Sequence, residues 1–591
     1  MKPNRIPLIM KKKTIILTLF ILVILGVKAQ TTSTSITNDV FWYTTKGTPI
    51  YSQGGGIFRF PDPVTGIEYY YWYGVHYTGA ESYLSSPTGK NSNSVFASVT
   101  CYRSDDLLNW TFMSDVMTSS SLGGASWLGR LGVAYIAEAK KYALVVQYNS
   151  SVLIATCDTP TGLFIWHNDI DMTSRIGTPN TGDQTVFTDD NGKSYLVYSY
   201  GSGRSRIYLS EIGVKDGVVT LLDCIEIYKG SGREGNCMFK YKGKYYTCAS
   251  DLYGWNASNV YYLESSSIYG PYTPTNNMLI MPGTESDFGH VTQTGFFYTV
   301  KGSKQETVIY CGDRWADFAG NGNGYNQWCP LSFVNNAPYF NSLSHWSLDA
   351  VTGEWAVGKD NNYVKNGSFD ADRVNIPSGN KPVQTYLTGW SFLVSKGKTI
   401  AVGSVSSPVL NASNSSTDRS VVVGNKCLNI SDSIAFARKI FQKIASTASV
   451  PLTNGKYTLT AKVKSGSLFN VLYMYALSGM ETFKTDMPYS DGQWHTVQVK
   501  DIPIKDGKVE VGFMADGAAN AWCRIDDMTL LKTGELDVQT SSVEVHKSDA
   551  VALKTEYYTL NGLKSDTPQK GLNIVRKVYA GYTETSKIIT K

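Results

Sequence analysis

Short runs of alternating apolar and polar residues, broken by glycine-containing turns, make up most of this 591-residue chain, and long helical periodicity is scarce. From Asp39 to about Gly358 one phrase recurs: a turn, a Tyr-rich strand, a second strand and a small-residue loop. It reads Glu68-Tyr69-Tyr70-Tyr71-Trp72-Tyr73-Gly74, then Lys141-Tyr142-Ala143-Leu144-Val145, Lys193-Ser194-Tyr195-Leu196-Val197-Tyr198, Lys244-Tyr245-Tyr246-Thr247 and Glu306-Thr307-Val308-Ile309-Tyr310-Cys311-Gly312. Repeats at this spacing, roughly 45–70 residues, predict small sheets that cannot bury both faces alone. Radial packing buries them and gives a five-bladed β-propeller, with a series of β-sandwiches as the alternative. In a propeller the first strands start near one axis, so residues far apart in sequence meet there.

The stretch Ser231–Trp255 marks one such start. Met238-Phe239-Lys240-Tyr241, a turn at Lys242-Gly243-Lys244 and the return run from Tyr245 to Ser250 read as a hairpin, with Arg233-Glu234 at its entry. A carboxylate at a strand end beside an Arg can act as acid or base; a surface ion pair is the plain alternative. From Asn361 to Lys532 the alternating runs lengthen, as in Tyr457–Val463 and Val509–Phe513, which predicts a jelly-roll β-sandwich over 361–532. A small β module follows over 538–591. The expected fold class is all-β throughout.

Composition agrees: charge is sparse and aromatics are many, with 39 Tyr and 13 Trp. A net charge of +5 spread over this length forms no basic stripe, so neither nucleic acid nor an anionic membrane surface is the expected partner. Lys11-Lys12-Lys13, the apolar run Thr14–Val27 and small residues up to Ala29 read as a secretory signal over 1–29. An uncleaved anchor helix is the alternative, although the run is short for a bilayer. No transmembrane segment is expected in the mature chain, and its expected place is periplasmic, cell-surface or extracellular. The nine cysteines have neither metal-site nor disulfide-framework spacing and read as buried thiols, with one disulfide left open.

Several motifs, in order, carry a resemblance. They are Gly54-Gly55-Gly56-Ile57, Gly182-Asp183-Gln184-Thr185-Val186 through Asp189-Asp190-Asn191-Gly192, Arg233-Glu234, Gly254-Trp255-Asn256, Thr292-Gln293-Thr294, and Gly312-Asp313-Arg314-Trp315 with Trp328-Cys329-Pro330-Leu331. Residues 39–358 thereby resemble the five-bladed propellers of glycoside hydrolase family 43, and within it the exo-β-1,3-galactanase-like branch. The resemblance implies an inverting glycosidase that acts on a polysaccharide or oligosaccharide and requires no cofactor.

Residue by residue, Glu234 matches the general acid and Asp183 the carboxylate that tunes it. The pairing has a physical reason, since a nearby negative charge keeps an acid protonated. The usual first-blade base is absent from Thr48–Gly54, as it is in the galactanase-like branch, and Gln293 matches the Gln given that role. A neutral amide is a poor base by pKa; Asp287 and His290 stand nearby as alternatives. His290 also resembles the axial Gly-His of other members. Gly129 replaces a Glu of the branch and so bears on the galactose preference, while Arg130 remains to bind hydroxyls or a uronate. Trp255, Trp315, Arg314 and His290 complete the expected substrate contacts, with Trp72, Tyr73, Tyr325 and Trp328 as further aromatics of the mouth.

The second region is similar to family 4/9 carbohydrate-binding modules. Trp390, Tyr473, Tyr475 and Trp494 are its glycan-facing candidates, and core packing is the plain reading. Asp370 and Asp526 are candidate ligands for a structural Ca²⁺. The tail resembles C-terminal β-modules of secreted Bacteroidetes proteins. Two other readings stand beside the first: an α-L-arabinofuranosidase or β-xylosidase of the same fold, and a glycan-binding propeller without catalysis.

Overall fold

The computed structural model describes residues 33–85, 95–201, 203–315, 326–371, 387–397, 424, 426–487, 491–536, 551–579 and 583–591. The expected leader over 1–29 and Tyr325 lie outside the described residues. The chain divides into two compact units, Met1–Glu535 and Leu536–Lys591.

The protein is all-β. Five antiparallel sheets follow one another in chain order, each starting from one strand: Gln53–Pro61, Leu131–Ile136, Gln184–Thr188, Glu234–Tyr241 and Gln293–Lys301. Each recurring Tyr-rich phrase forms the second strand of one sheet. The five first strands touch in cyclic order, the fifth returning to the first. Their entrances therefore surround one centre. The expected hairpin is present: Glu234–Tyr241 pairs with Lys244–Ser250. Its two-residue turn has φ of +45° at Lys242 and +79° at Gly243, the signs that match strand twist.

Trp72, Trp328, Trp110 and Trp346 pack where the first sheet meets the fifth. The Trp72 and Trp328 rings lie 4.9 Å apart and both are fully buried. Tyr73 is also fully buried and donates to the Pro160 carbonyl at 2.6 Å. These three, expected at a substrate mouth, are core residues. They sit in strand interiors rather than at strand ends, and their side chains point between sheets.

Beyond the five sheets, Ile36–Thr37 pairs with His345–Leu348, which pairs with Trp355–Val357. A five-stranded and a four-stranded antiparallel sheet then share one apolar core that includes Ile440, Met474 and Phe513 from the first and Leu459, Ile525 and Leu530 from the second. Trp390 belongs to that core, packed on Phe513 and donating to the Asn366 carbonyl. Tyr475 is likewise buried and donates to Glu510 at 2.8 Å. The second unit is a four-stranded antiparallel sheet. All nine cysteines are free thiols, seven of them buried. No helix among the described residues is long and apolar enough to cross a membrane.

Trp72→Ala truncates one of the four tryptophans packed at the seam of the first and fifth sheets. It is expected to cost about 3–5 kcal/mol, read as a lower urea midpoint. An unchanged midpoint would mean the seam contributes little.

Candidate active site

Three of the five entrances are bulged: register slips between Gln53 and Gly56, Glu234 and Cys237, and Thr294 and Phe296. Bulges re-aim the side chains beside them. At the fourth entrance Gly235 has φ +60°, and a Cβ there would lie 2.7 Å from the Thr294 carbonyl oxygen. The resulting turn points the Gly235 N–H at Asp183 Oδ2, 2.8 Å away. Asn236 Nδ2 adds a bond to the Asp183 carbonyl at 3.3 Å. Asp183 is thus fixed to the strand that begins with Glu234.

Arg130 joins the entrances. It directly precedes Leu131–Ile136, and its side chain is only 6% exposed. Its Nη1 lies 3.0 Å from Asp313 Oδ2, its Nε 3.4 Å from Asp183 Oδ2, and its Nη2 donates to Gln293 Oε1 at 2.8 Å. Asp313 also accepts from the Gly54 N–H at 3.1 Å. Gln293 Nε2 donates to Glu234 Oε1 and to the Gly254 carbonyl, each at 3.1 Å. Arg204 Nη1 pairs with Glu234 Oε2. The network takes residues from all five sheets.

It lines a cavity of about 350 Å³ whose walls include Trp127, Trp255 and Trp315. Trp255 and Trp315 meet edge to face at 4.8 Å, and the Arg130 guanidinium lies 5.7 Å from the Trp315 ring. Such a site offers flat apolar walls to sugar C–H faces and a polar floor to hydroxyls.

Glu234 is 5% exposed. Burial, and next the negative charge of Asp183, push its carboxyl up to about 8, against the pull of Arg204, Arg130 and the Gly254 N–H. Asp313 is raised by burial, with Arg130 opposing. Burial works against the Arg130 charge, but Asp183 and Asp313 hold it above the ordinary arginine value. The cavity therefore holds a carboxyl that keeps its proton at neutral pH beside a second, cation-bound carboxylate.

Glu234, Asp183, Gln293, Arg130, Trp255 and Trp315 are brought together as expected site residues. Arg314 and His290 are not. Arg314 pairs with Asp39 at 2.8 Å and Asp370 at 3.0 Å; His290 Nε2 meets the same Asp39 at 2.8 Å and Nδ1 meets Ser342 at 2.8 Å. Both belong to a separate cluster. Side-chain alternation explains the first: Asp313 and Trp315 face the centre, and Arg314 between them faces away. Asp287 caps the short turn of His290 and accepts from Ser342, and it does not line the cavity. Asp370, expected as a Ca²⁺ ligand, is tied to Arg314 and the Lys426 N–H, while Asp526 accepts from the Asp527 N–H. Among the described residues no group of three or more His, Cys, Asp or Glu is placed to hold a metal ion.

Arg204, Gln147, Trp127 and Asp313 went unassigned from sequence. Asp313 was within reach, through alternation with Trp315. Gln147 bears on Gly129: a Cβ at Gly129 would lie 2.3 Å from Gln147 Oε1, so the amide fills the space a larger residue would take.

Residues 69–328 match the family model of Glycosyl hydrolases family 43. The match takes in Arg130, Asp183, Glu234 and Gln293. The protein is a glycosidase. No curated protein matches the chain. An exo-β-1,3-galactanase from Phanerochaete chrysosporium, crystallised with β-1,3-galactotriose, is similar at 18% identity and a TM-score of 0.48, over 84% of this chain and 100% of that one. An exo-β-1,3-galactanase from Clostridium thermocellum is similar at 18% identity and a TM-score of 0.47, over 85% of this chain and 100% of that one.

A general acid works while protonated, so kcat/KM is expected to hold below about pH 8 and fall above it as Glu234 ionises. A pH–rate profile on any cleaved substrate checks this. A fall centred near the ordinary glutamate value would show that burial and Asp183 do not govern the acid.

Proposed function

We propose that this protein is a secreted, inverting exo-β-1,3-galactosidase or galactanase, built on a five-bladed propeller with a jelly-roll carbohydrate-binding-like module (361–532) and a small C-terminal β module (538–591). The observation that carries the reading is the convergence of Glu234 and Asp183 in one tryptophan-lined cavity, with Glu234 raised into the range of a working acid. Glu234 gives its proton to the leaving glycosidic oxygen. Asp183, held by Arg130 and the Gly235 N–H, keeps that proton in place until the bond breaks. Gln293 holds the acid carboxyl and orients water, which attacks the anomeric carbon from the opposite face and gives up its proton to bulk solvent. Terminal galactose is the proposed product because the motif order, including the missing first-blade carboxylate, is that of the galactanase-like branch.

The neutral wall at Gly129 and Gln147 favours one other reading, an arabinofuranoside or xyloside as substrate. Product release from β-1,3-galactan, arabinogalactan and aryl glycosides separates the two. Wild type is expected to release galactose, and Glu234→Gln to lose about 10²–10⁴-fold in rate. Cleavage of arabinosides alone would move the sugar assignment. Full activity in Glu234→Gln would remove Glu234 from the mechanism.

A further inference from the structure

The two guanidinium groups of the cavity stand in different circumstances. Arg130 is buried among Asp183, Asp313 and Gln293. Arg204, on the link between Ser194–Ser199 and Arg206–Lys215, lines the cavity with a side chain 30% exposed. Among the described residues Glu234 is its one ionic partner. The link is anchored, since the Arg204 carbonyl accepts the Arg233 N–H at 2.7 Å. The side chain lies over Gly182, where a Cβ would come 3.0 Å from Arg204 Nε.

Catalysis requires Glu234 neutral, whereas arginine keeps its charge at any pH the protein meets. In the working protonation state Arg204 therefore faces the cavity without a carboxylate paired to it. Asp183 and Asp313 are not paired with it, since both point to Arg130. The adjoining wall is neutral as well. Gln147 Nε2 donates to the Thr181 and Gly182 carbonyls at 3.1 and 3.4 Å, and its amide occupies the space beside Gly129. Asp183 is the carboxylate nearest that wall, and Arg130 and the Gly235 N–H both hold it.

We propose that the cavity takes a sugar bearing an anionic group, a carboxylate or a sulfate ester, which pairs with Arg204 while Glu234 holds its proton. The inference rests on the glycosidase reading with Glu234 as acid. A guanidinium–anion pair is charge-assisted and geometrically selective. The bound anion also disfavours ionised Glu234, so substrate binding and acid protonation reinforce each other.

Glu234→Gln keeps a neutral side chain at the acid position and is the protein to titrate. Calorimetry would measure galactose, galacturonate, glucuronate and galactose 6-sulfate binding to it, alone and combined with Arg204→Gln or Arg204→Lys. At least one anionic sugar is expected to bind about tenfold tighter than galactose, a gain lost with Arg204→Gln and partly kept with Arg204→Lys. Whichever anionic sugar gains identifies the group as carboxylate or sulfate. Galactose binding as tightly as every anionic sugar, no measurable anion binding, or a preference that survives Arg204→Gln overturns the proposal. Wild-type hydrolysis of neutral oligosaccharides is scored separately. Failure to cleave any glycan sinks the acid assignment, whereas cleavage without anion preference sinks this inference alone.

Discussion

The buried guanidinium of Arg130 is the constraint on which the site depends. Taking such a charge out of water costs several kcal/mol, roughly, unless good partners replace the lost hydration. Here Asp313, Asp183 and Gln293 do so. Each partner comes from a different strand entrance or strand end, and Asp313 reaches on to Gly54 of the first sheet. One planar fork thus sets where the third, fifth and first sheets begin relative to the second. A lysine, a single point charge, would not hold three partners in fixed directions.

That arrangement also sets the proton on Glu234. Arg130 draws Asp183 toward itself, and the Gly235 N–H holds the same oxygen, so a negative charge stays beside an acid that is already desolvated. Burial is the larger cause and the carboxylate the second. The two cations lower the result without cancelling it.

Much of this was legible in the chain. Period-two runs between glycine turns mark the five sheets, and entrance motifs mark Asp183, Glu234, Gln293, Arg130, Trp255 and Trp315. Adjacency misled at Arg314 and His290, where strand alternation and a tight turn send the side chains elsewhere. Trp72 and Trp328 looked like sugar platforms but lie in strand interiors. Arg204 and Gln147 carry no local signal, because their roles arise only when loops of separate sheets converge. The domain boundary near residue 360 was also less clean than composition suggests. Arg314 bridges Asp39 to Asp370, and Lys365 donates to the Ser342 carbonyl, so ionic and polar contacts cross it. This accounts for one compact unit running to Glu535.

What Gln293 could do in the proposed reaction is bounded by its hydrogen bonds. Its amide nitrogen has two hydrogens, and both are given away, to Glu234 and to Gly254. Its oxygen has two lone pairs, and Arg130 takes one. The remaining lone pair can accept a hydrogen from water and so hold it in place. It cannot remove the proton: a neutral amide oxygen is a weak base, and a guanidinium donating to it makes it weaker. In the proposed mechanism Gln293 orients the nucleophile only, and the water's proton passes to bulk solvent as the glycosidic bond opens and positive charge at the anomeric carbon makes that water acidic.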